Sequence, residues 1–243
     1  IFFFCQKISV KFNDVKLFRL RKMTMSGNYK SVFDIIGPVM VGPSSSHTAG
    51  AVAIGQVAHK LFSQKITQVT IDYYESFAKT HRGHGTDFAI VAGVLGMQTD
   101  DLRVPDAVRI AKMRGIKVKF IEHEGKSPIN HPNTAIVTLA NKDKEIKVAG
   151  CSIGGGTIEI RKIQIDGHEF FPAGPLPIII CLAKDGKQNS ILESLACGDD
   201  FIVKKAERSI SSDCCLLEFD LDKKPDEQIL EHIASMSKEL ICL

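Results

Sequence analysis

The chain lacks most features that would place it quickly. No stretch approaches the roughly 20 consecutive apolar residues of a membrane helix. No internal repeat or low-complexity segment occurs, and none of the seven cysteines stands in a C-x-x-C spacing. The excess of positive charge is also superficial. The first 24 residues carry six of the 31 basic residues and one of the 28 acidic ones, so the remainder is close to neutral. No clustered Lys/Arg face with interleaved aromatics follows, which argues against a nucleic-acid partner. The expectation is no nucleic acid and no membrane.

The cysteines (Cys5, Cys151, Cys181, Cys197, Cys214, Cys215, Cys242) are scattered and odd in number. That disfavours a disulfide framework or a self-contained metal site. Several lie in apolar strand patterns, where a free Cys acts as a small hydrophobe, and a reducing, cytoplasmic setting is expected. The leader, 1–24, is basic, acid-poor and too short in apolar span for a signal peptide, and reads as a non-native or disordered extension before Met25.

What is present is concentrated. Val41-Gly-Pro-Ser-Ser-Ser-His-Thr48 puts three hydroxyls and an imidazole between a Gly-Pro turn and a run, Ala49 to Phe62, whose Ile54, Val57, Ala58, Leu61 and Phe62 recur at helical spacing. Hydroxyls at a helix start cap the first N–H groups, and the donors left over favour a carboxylate or phosphate. One serine would suffice for a cap; three followed by His47 point to an anion site as much as to a cap.

Thr67 to Tyr74 alternates as a strand and runs into Phe77-Ala-Lys-Thr-His-Arg-Gly-His-Gly-Thr86, read as a loop before a helix reaching about Met97. Loops at the carboxyl ends of strands are where open α/β sheets bind ligands. His81 reads as part of a solvated basic turn, whereas His84, flanked by Gly83 and Gly85, is a site candidate. Pro105 to Arg114 reads as a helix stopped by Gly115, followed by a strand Ile116 to Ile121. Beyond the turn His131-Pro-Asn133 come strands at Thr134 to Ala140 and Glu145 to Ala149. Next stands Gly150-Cys-Ser-Ile-Gly-Gly-Gly-Thr157, where three adjacent glycines imply a sharp bend or a ligand on bare backbone. The run is neither a dinucleotide fingerprint nor a P-loop, and it enters a strand, Ile158 to Ile165.

Phe171 to Pro177 is a Pro/Gly linker. After it the order is strand (178–183), helix (189–197), strand (201–209), strand (214–220), helix (226–235) and a final apolar 240–243, a β-α-β-β-α-β plan. The exposed sheet edge of such a unit invites self-association.

The combination Ser31-Val-Phe-Asp34, Gly42-Pro-Ser-Ser-Ser-His-Thr48, Gly83-His-Gly-Thr86, His131-Pro-Asn133 and Ser152-Ile-Gly-Gly-Gly156 resembles the beta subunit of iron-sulfur-dependent L-serine dehydratase. The resemblance spans about 25–243. It implies an α/β (α+β) protein: a domain over 25–170, similar to an allosteric substrate-binding domain, then a ferredoxin-like ACT domain over 177–243. It implies an alpha subunit as partner, carrying a [4Fe-4S] cluster on its own cysteines, and deamination of L-serine to pyruvate and ammonia. His47 and His84 become the catalytic candidates. The substrate-binding candidates are Ser44, Ser45, Ser46, Thr48, Gly85, Thr86, Asn133, Gly154, Gly155 and Gly156.

The chemistry suits these residue types. Removing the α-proton of serine and expelling hydroxide needs a base, which an imidazole with an ordinary pKa near 6.5 provides, and an electron-pair acceptor, which the cluster iron provides. A competing reading is a non-catalytic amino-acid-sensing regulatory subunit, against which stand two imidazoles in site motifs. A stand-alone hydrolase built on Ser45 or Ser46 with His47 is poorer, since no Gly-x-Ser-x-Gly elbow occurs.

Overall fold

The structure is a computed structural model that describes residues 38–165, 167–172, 176–196, 202–211 and 214–243. The expected leader 1–24, Ser31–Asp34, the 173–175 part of the linker, Cys197 and Phe201 lie outside the described residues.

A π-helical turn (Ser45–Ala49) runs into α1 (Gly50–Leu61). Then come β1 (Gln68–Tyr74), α2 (Glu75–Thr80), α3 (Thr86–Val94), a 3-10 turn (Val104–Asp106), α4 (Ala107–Met113) and β2 (Lys117–His123). Four strands follow: β3 (Asn133–Ala140), β4 (Glu145–Gly154), β5 (Thr157–Ile165) and β6 (His168–Phe170). The last part is β7 (Ile178–Lys184), α5 (Gln188–Ala196), β8 (Ile202–Ser211), β9 (Cys214–Leu221), α6 (Glu227–Met236) and β10 (Ser237–Cys242).

The first six strands form one sheet in the order β2-β1-β3-β4-β5-β6, with β1 and β2 parallel and the other neighbours antiparallel. One face is covered by helices. α1 lies on β3 and β4 through Val52, Ile54, Val57, Ala58 and Leu61, the stripe its periodicity predicts. α3 has no polar side of any width. Ala89 to Val94 are all buried, because the helix sits between α1 and α4. α1 and α3 cross with backbones in near contact: a Cβ on Gly55 would overlap the Ile90 carbonyl, and one on Gly93 the Val52 carbonyl. These glycines serve proximity.

Several boundaries differ from expectation. The stretch beginning at Phe77 is not all loop, since Glu75–Thr80 is helical and the loop shrinks to 81–85. Its first turn is held by the Pro132 carbonyl, which accepts from the Ser76 N–H at 3.0 Å, a partner 56 positions along the chain and invisible to local propensity. α3 stops at Val94 because Gly96, at φ 80°, closes a Schellman cap in which Met97 N–H donates to Ala92 O and Gly96 N–H to Gly93 O. Gly115 stops α4 by the same pair of bonds, as expected. β4 does not end at Ala149 but continues with a bulge at Ala149/Gly150 to Gly154.

The second sheet has the order β10-β7-β9-β8, all antiparallel, and its elements follow the expected β-α-β-β-α-β succession. Alternate residues of β7 explain its unbroken apolar sequence. Ile179, Cys181 and Ala183 pack with Ile191, Leu195 and Ile233 of the helices, while Ile178 and Ile180 join the core of the larger sheet. A strand buried on both faces reads as a continuous run. No helix among the described residues is long and apolar enough to cross a membrane.

Candidate active site

Ser44 is extended (φ −149°, ψ 128°), and its Oγ accepts the His47 N–H at 3.2 Å. Its carbonyl accepts the Thr48 N–H at 2.7 Å. The Gly50 N–H then reaches Ser45 O, five residues back, and closes the π-turn. This wider turn is the local device that turns the His47 ring toward its own serines: Nδ1 lies 3.0 Å from Ser46 Oγ and 3.4 Å from Ser44 Oγ. Nε2 is buried with no hydrogen-bond partner among the described residues. The ring rests on Phe77, centroids 5.1 Å apart.

His84 arrives from the other side. Its N–H donates to Thr80 O at 2.9 Å, continuing α2, and Gly85 (φ 72°) reverses the chain into α3, where a Cβ would overlap the Phe88 ring. The imidazoles of His47 and His84 meet edge to face with centroids 4.8 Å apart. Burial and then the neighbouring His84 hold the His47 pKa below the usual 6.5, so near neutrality it is an uncharged ring with one free lone pair.

The remaining candidates fall into three groups. Thr48 is fully buried, and its hydroxyl donates to the His84 carbonyl at 3.2 Å; a Cβ on Gly42 would overlap its methyl group. Thr86 is also fully buried, its Oγ1 without a partner among the described residues. Gly154, Gly155 and Gly156 (φ 108°, 60° and 85°) make the hairpin between β4 and β5, the sharp bend their run implied. A Cβ on Gly156 would come within 2.8 Å of Pro38 Cδ and 3.4 Å of Ala49 Cβ, so the hairpin abuts the π-turn. Asn133 stands further back, its Nδ2 donating to Ser152 O at 3.3 Å. Ser45 is half-buried.

Two residues outside the candidate set belong to this assembly. Phe77 supplies the apolar surface under His47. Ser152 sits under the start of α1, where a Cβ on Gly50 would overlap its Oγ, and that hydroxyl has no partner among the described residues. The Ser-Ile-Gly-Gly-Gly string was the signal for Ser152; nothing in sequence marked Phe77. His81 is not a solvated turn residue. It is 3% exposed, stacks on Tyr73 at 4.6 Å, and its Nε2 lies 2.8 Å from Glu122 Oε1. Its carbonyl accepts the Thr86 N–H at 2.9 Å, so it anchors the loop that carries His84.

A base with a free buried nitrogen, a second imidazole and several hydroxyls can bind a small polar substrate and move a proton. The chain matches the family described as serine dehydratase beta chain over residues 31–162. It is 39% identical over 215 residues to the probable L-serine dehydratase beta chain of Bacillus subtilis, covering 86% of this chain and 94% of that one. It is 41% identical over 141 residues to the L-serine dehydratase beta chain of Peptoniphilus asaccharolyticus, covering 58% of this chain and 63% of that one. To L-serine dehydratase 2 of Escherichia coli it is 31% identical over a 151-position alignment that covers 53% of this chain and 33% of that longer protein. With the His47 and His84 motifs inside the matched region, and with similarity to the Bacillus chain over most of both lengths, the chain belongs to the serine dehydratase beta chain family.

Proposed function

We propose that this chain is the beta subunit of an L-serine dehydratase and contributes the proton-transfer group to the conversion of L-serine to pyruvate and ammonia, with an alpha chain completing the site. The observation that carries the reading is the state of His47: an imidazole held uncharged, gripped at Nδ1 by Ser46, with Nε2 buried and unpartnered among the described residues. With the Nδ1 proton donated to Ser46 Oγ, the lone pair left on Nε2 can take the substrate Cα proton once docking of substrate and alpha chain relieves the burial of Nε2. Loss of that proton and of the β-hydroxyl leaves an enamine, which tautomerises and hydrolyses to pyruvate and ammonia. His84, edge-on to His47, is placed to steer the substrate or pass on the proton. The start of the π-turn, at Ser45 and Ser46 ahead of the bonded His47, Thr48 and Gly50 N–H groups, is where backbone N–H groups would meet the substrate carboxylate.

The [4Fe-4S] cluster belongs, in this proposal, to the alpha chain. The thiols described here do not fit one: Cys151 and Cys181 are buried and pushed up to about 11 and about 12, far from the thiolate that ligates iron. No group of three His, Cys, Asp or Glu side chains among the described residues is arranged to hold a metal ion. The small four-stranded unit is assigned to the ACT class on its element order, and a cytoplasmic setting goes with the same reading.

The test is anaerobic co-expression with the alpha chain and an assay of pyruvate from L-serine. His47→Ala and His84→Ala are each expected to cut turnover about a hundredfold or more. Near-normal turnover in both variants would leave the chain a sensing subunit.

A further inference from the structure

The alternation of β2 puts Val118 and Phe120 on its helix-covered face, both packed against the core. The next residue in that series is Glu122, a carboxylate where the stripe calls for an apolar side chain. It stands half-exposed near the carboxyl end of the strand. Its Oε1 accepts from two consecutive residues of the loop that carries His84: His81 Nε2 at 2.8 Å and Arg82 Nη2 at 3.1 Å.

The two bonds are unequal. Arg82 is a long surface side chain, 82% exposed, and an ion pair held that way contributes little. The bond from His81, ahead of the Arg82 charge, holds the Glu122 carboxyl below the usual range, so it is ionised near neutrality. The His81 ring is buried, stacked on Tyr73 at 4.6 Å and 20°, with Phe120 at 6.3 Å. Its Nδ1 has no partner among the described residues, which leaves the Nε2 bond to Glu122 as the ring's hydrogen bond there. Without the carboxylate both ring nitrogens lose satisfaction, and an unmade buried bond costs more than a typical made one adds.

What hangs on His81 is the site. Its N–H donates to Phe77 O at 3.0 Å at the end of α2, so Phe77 and His81, four apart, share one side of that helix. Arg82, Gly83 and His84 are exposed, held between buried His81 and buried Gly85 and Thr86, and the Thr86 N–H closes the loop onto the His81 carbonyl. The geometry points to Glu122 as a positioning residue for the paired imidazoles: by fixing the His81 ring it sets the end of α2, and with it both Phe77 beneath His47 and the loop that presents His84. Its effect on turnover rests on the serine dehydratase reading; its hold on the His47–His84 geometry does not.

An NMR pH titration of His47 in the full chain reads that geometry, since His84 is one of the two causes that lower the His47 midpoint. In Glu122→Ala the loop loses its pin, and the midpoint should rise toward the value found for His84→Asn, which removes that neighbour. Loss of the carboxylate's charge alone would move it the other way. Glu122→Gln removes the same charge but keeps an oxygen that accepts from His81 Nε2–H, and should titrate close to the parent. His81→Phe keeps a ring on Tyr73 without the donor and should match Glu122→Ala, with nothing further in the double variant. With the alpha chain present, Glu122→Ala should lower kcat roughly tenfold, and Glu122→Gln should recover most of it. An unchanged or lowered His47 midpoint in Glu122→Ala, or Ala and Gln variants that titrate alike, would overturn the positioning role. A raised midpoint in Glu122→Ala, with no pyruvate formed from L-serine by the parent complex, would uphold that role and refute the dehydratase reading instead.

Discussion

The Thr48 hydroxyl donates to the His84 carbonyl oxygen at 3.2 Å, and so the turn that carries one imidazole holds the backbone that carries the other. With Thr48 fully buried and the rings 4.8 Å apart, this bond fixes the spacing of the pair from behind. Thr48→Val keeps the shape and removes the donor. A cost of about 1 kcal/mol in stability is expected, together with a fall in turnover of roughly tenfold as the rings lose register. Thr48→Ser retains the donor and should recover most of that turnover. If Val and Ser variants turn over alike with the alpha chain present, the bond does not position the pair.

The His47 imidazole should titrate below 6.5 in an NMR pH series, because burial and then His84 oppose its charge. His84→Asn removes the second cause and leaves the first, so the midpoint should rise without returning fully to the ordinary value. The sign for stability follows from linkage. Between the folded and unfolded pKa values the unfolded chain binds more protons, so stability is full above about 6.5 and is lost as pH falls through the folded value. His131, also lowered chiefly by burial, acts in the same direction. Urea midpoints at pH 8 and pH 5.5 should differ accordingly, and by less in His47→Gln. A His47 midpoint above 6.5 contradicts the proposed uncharged base.

The crossing of α1 and α3 allows no side chain at two positions. Gly55→Ala and Gly93→Ala each drive a methyl group into a backbone carbonyl of the facing helix and should destabilise the chain by about 1–3 kcal/mol or prevent folding. Gly125→Ala meets nothing within 4 Å and should stay within about 0.5 kcal/mol of the parent. Chemical denaturation of the three variants measures both; a destabilised Gly125→Ala with an unaffected Gly55→Ala would show the crossing to be looser than described.

Much of the chain's local structure is decided by nearest neighbours and was legible as such. Ser44 caps the turn before α1, Gly115 ends α4, and three adjacent glycines bend the chain between β4 and β5, because each effect depends on φ or on one hydrogen bond within a few residues. The β-α-β-β-α-β order of the last part was readable for the same reason: alternation and helical spacing are local patterns. The α2 helix was not, since its first turn depends on the carbonyl of Pro132, and β4 ran past its expected end because Cys151 and Ser152 find ladder partners in β3 and β5. Tertiary structure alone decided the site. His47 and His84 stand on opposite sides of β1 in sequence. They meet because α3, which follows directly on the loop that carries His84, packs on α1 and on the π-turn that carries His47. Residue types and spacing named the candidates; the lowered pKa of His47, the bond from Thr48 and the anchoring of the loop by His81 arise from burial and long-range contact, which no local pattern encodes.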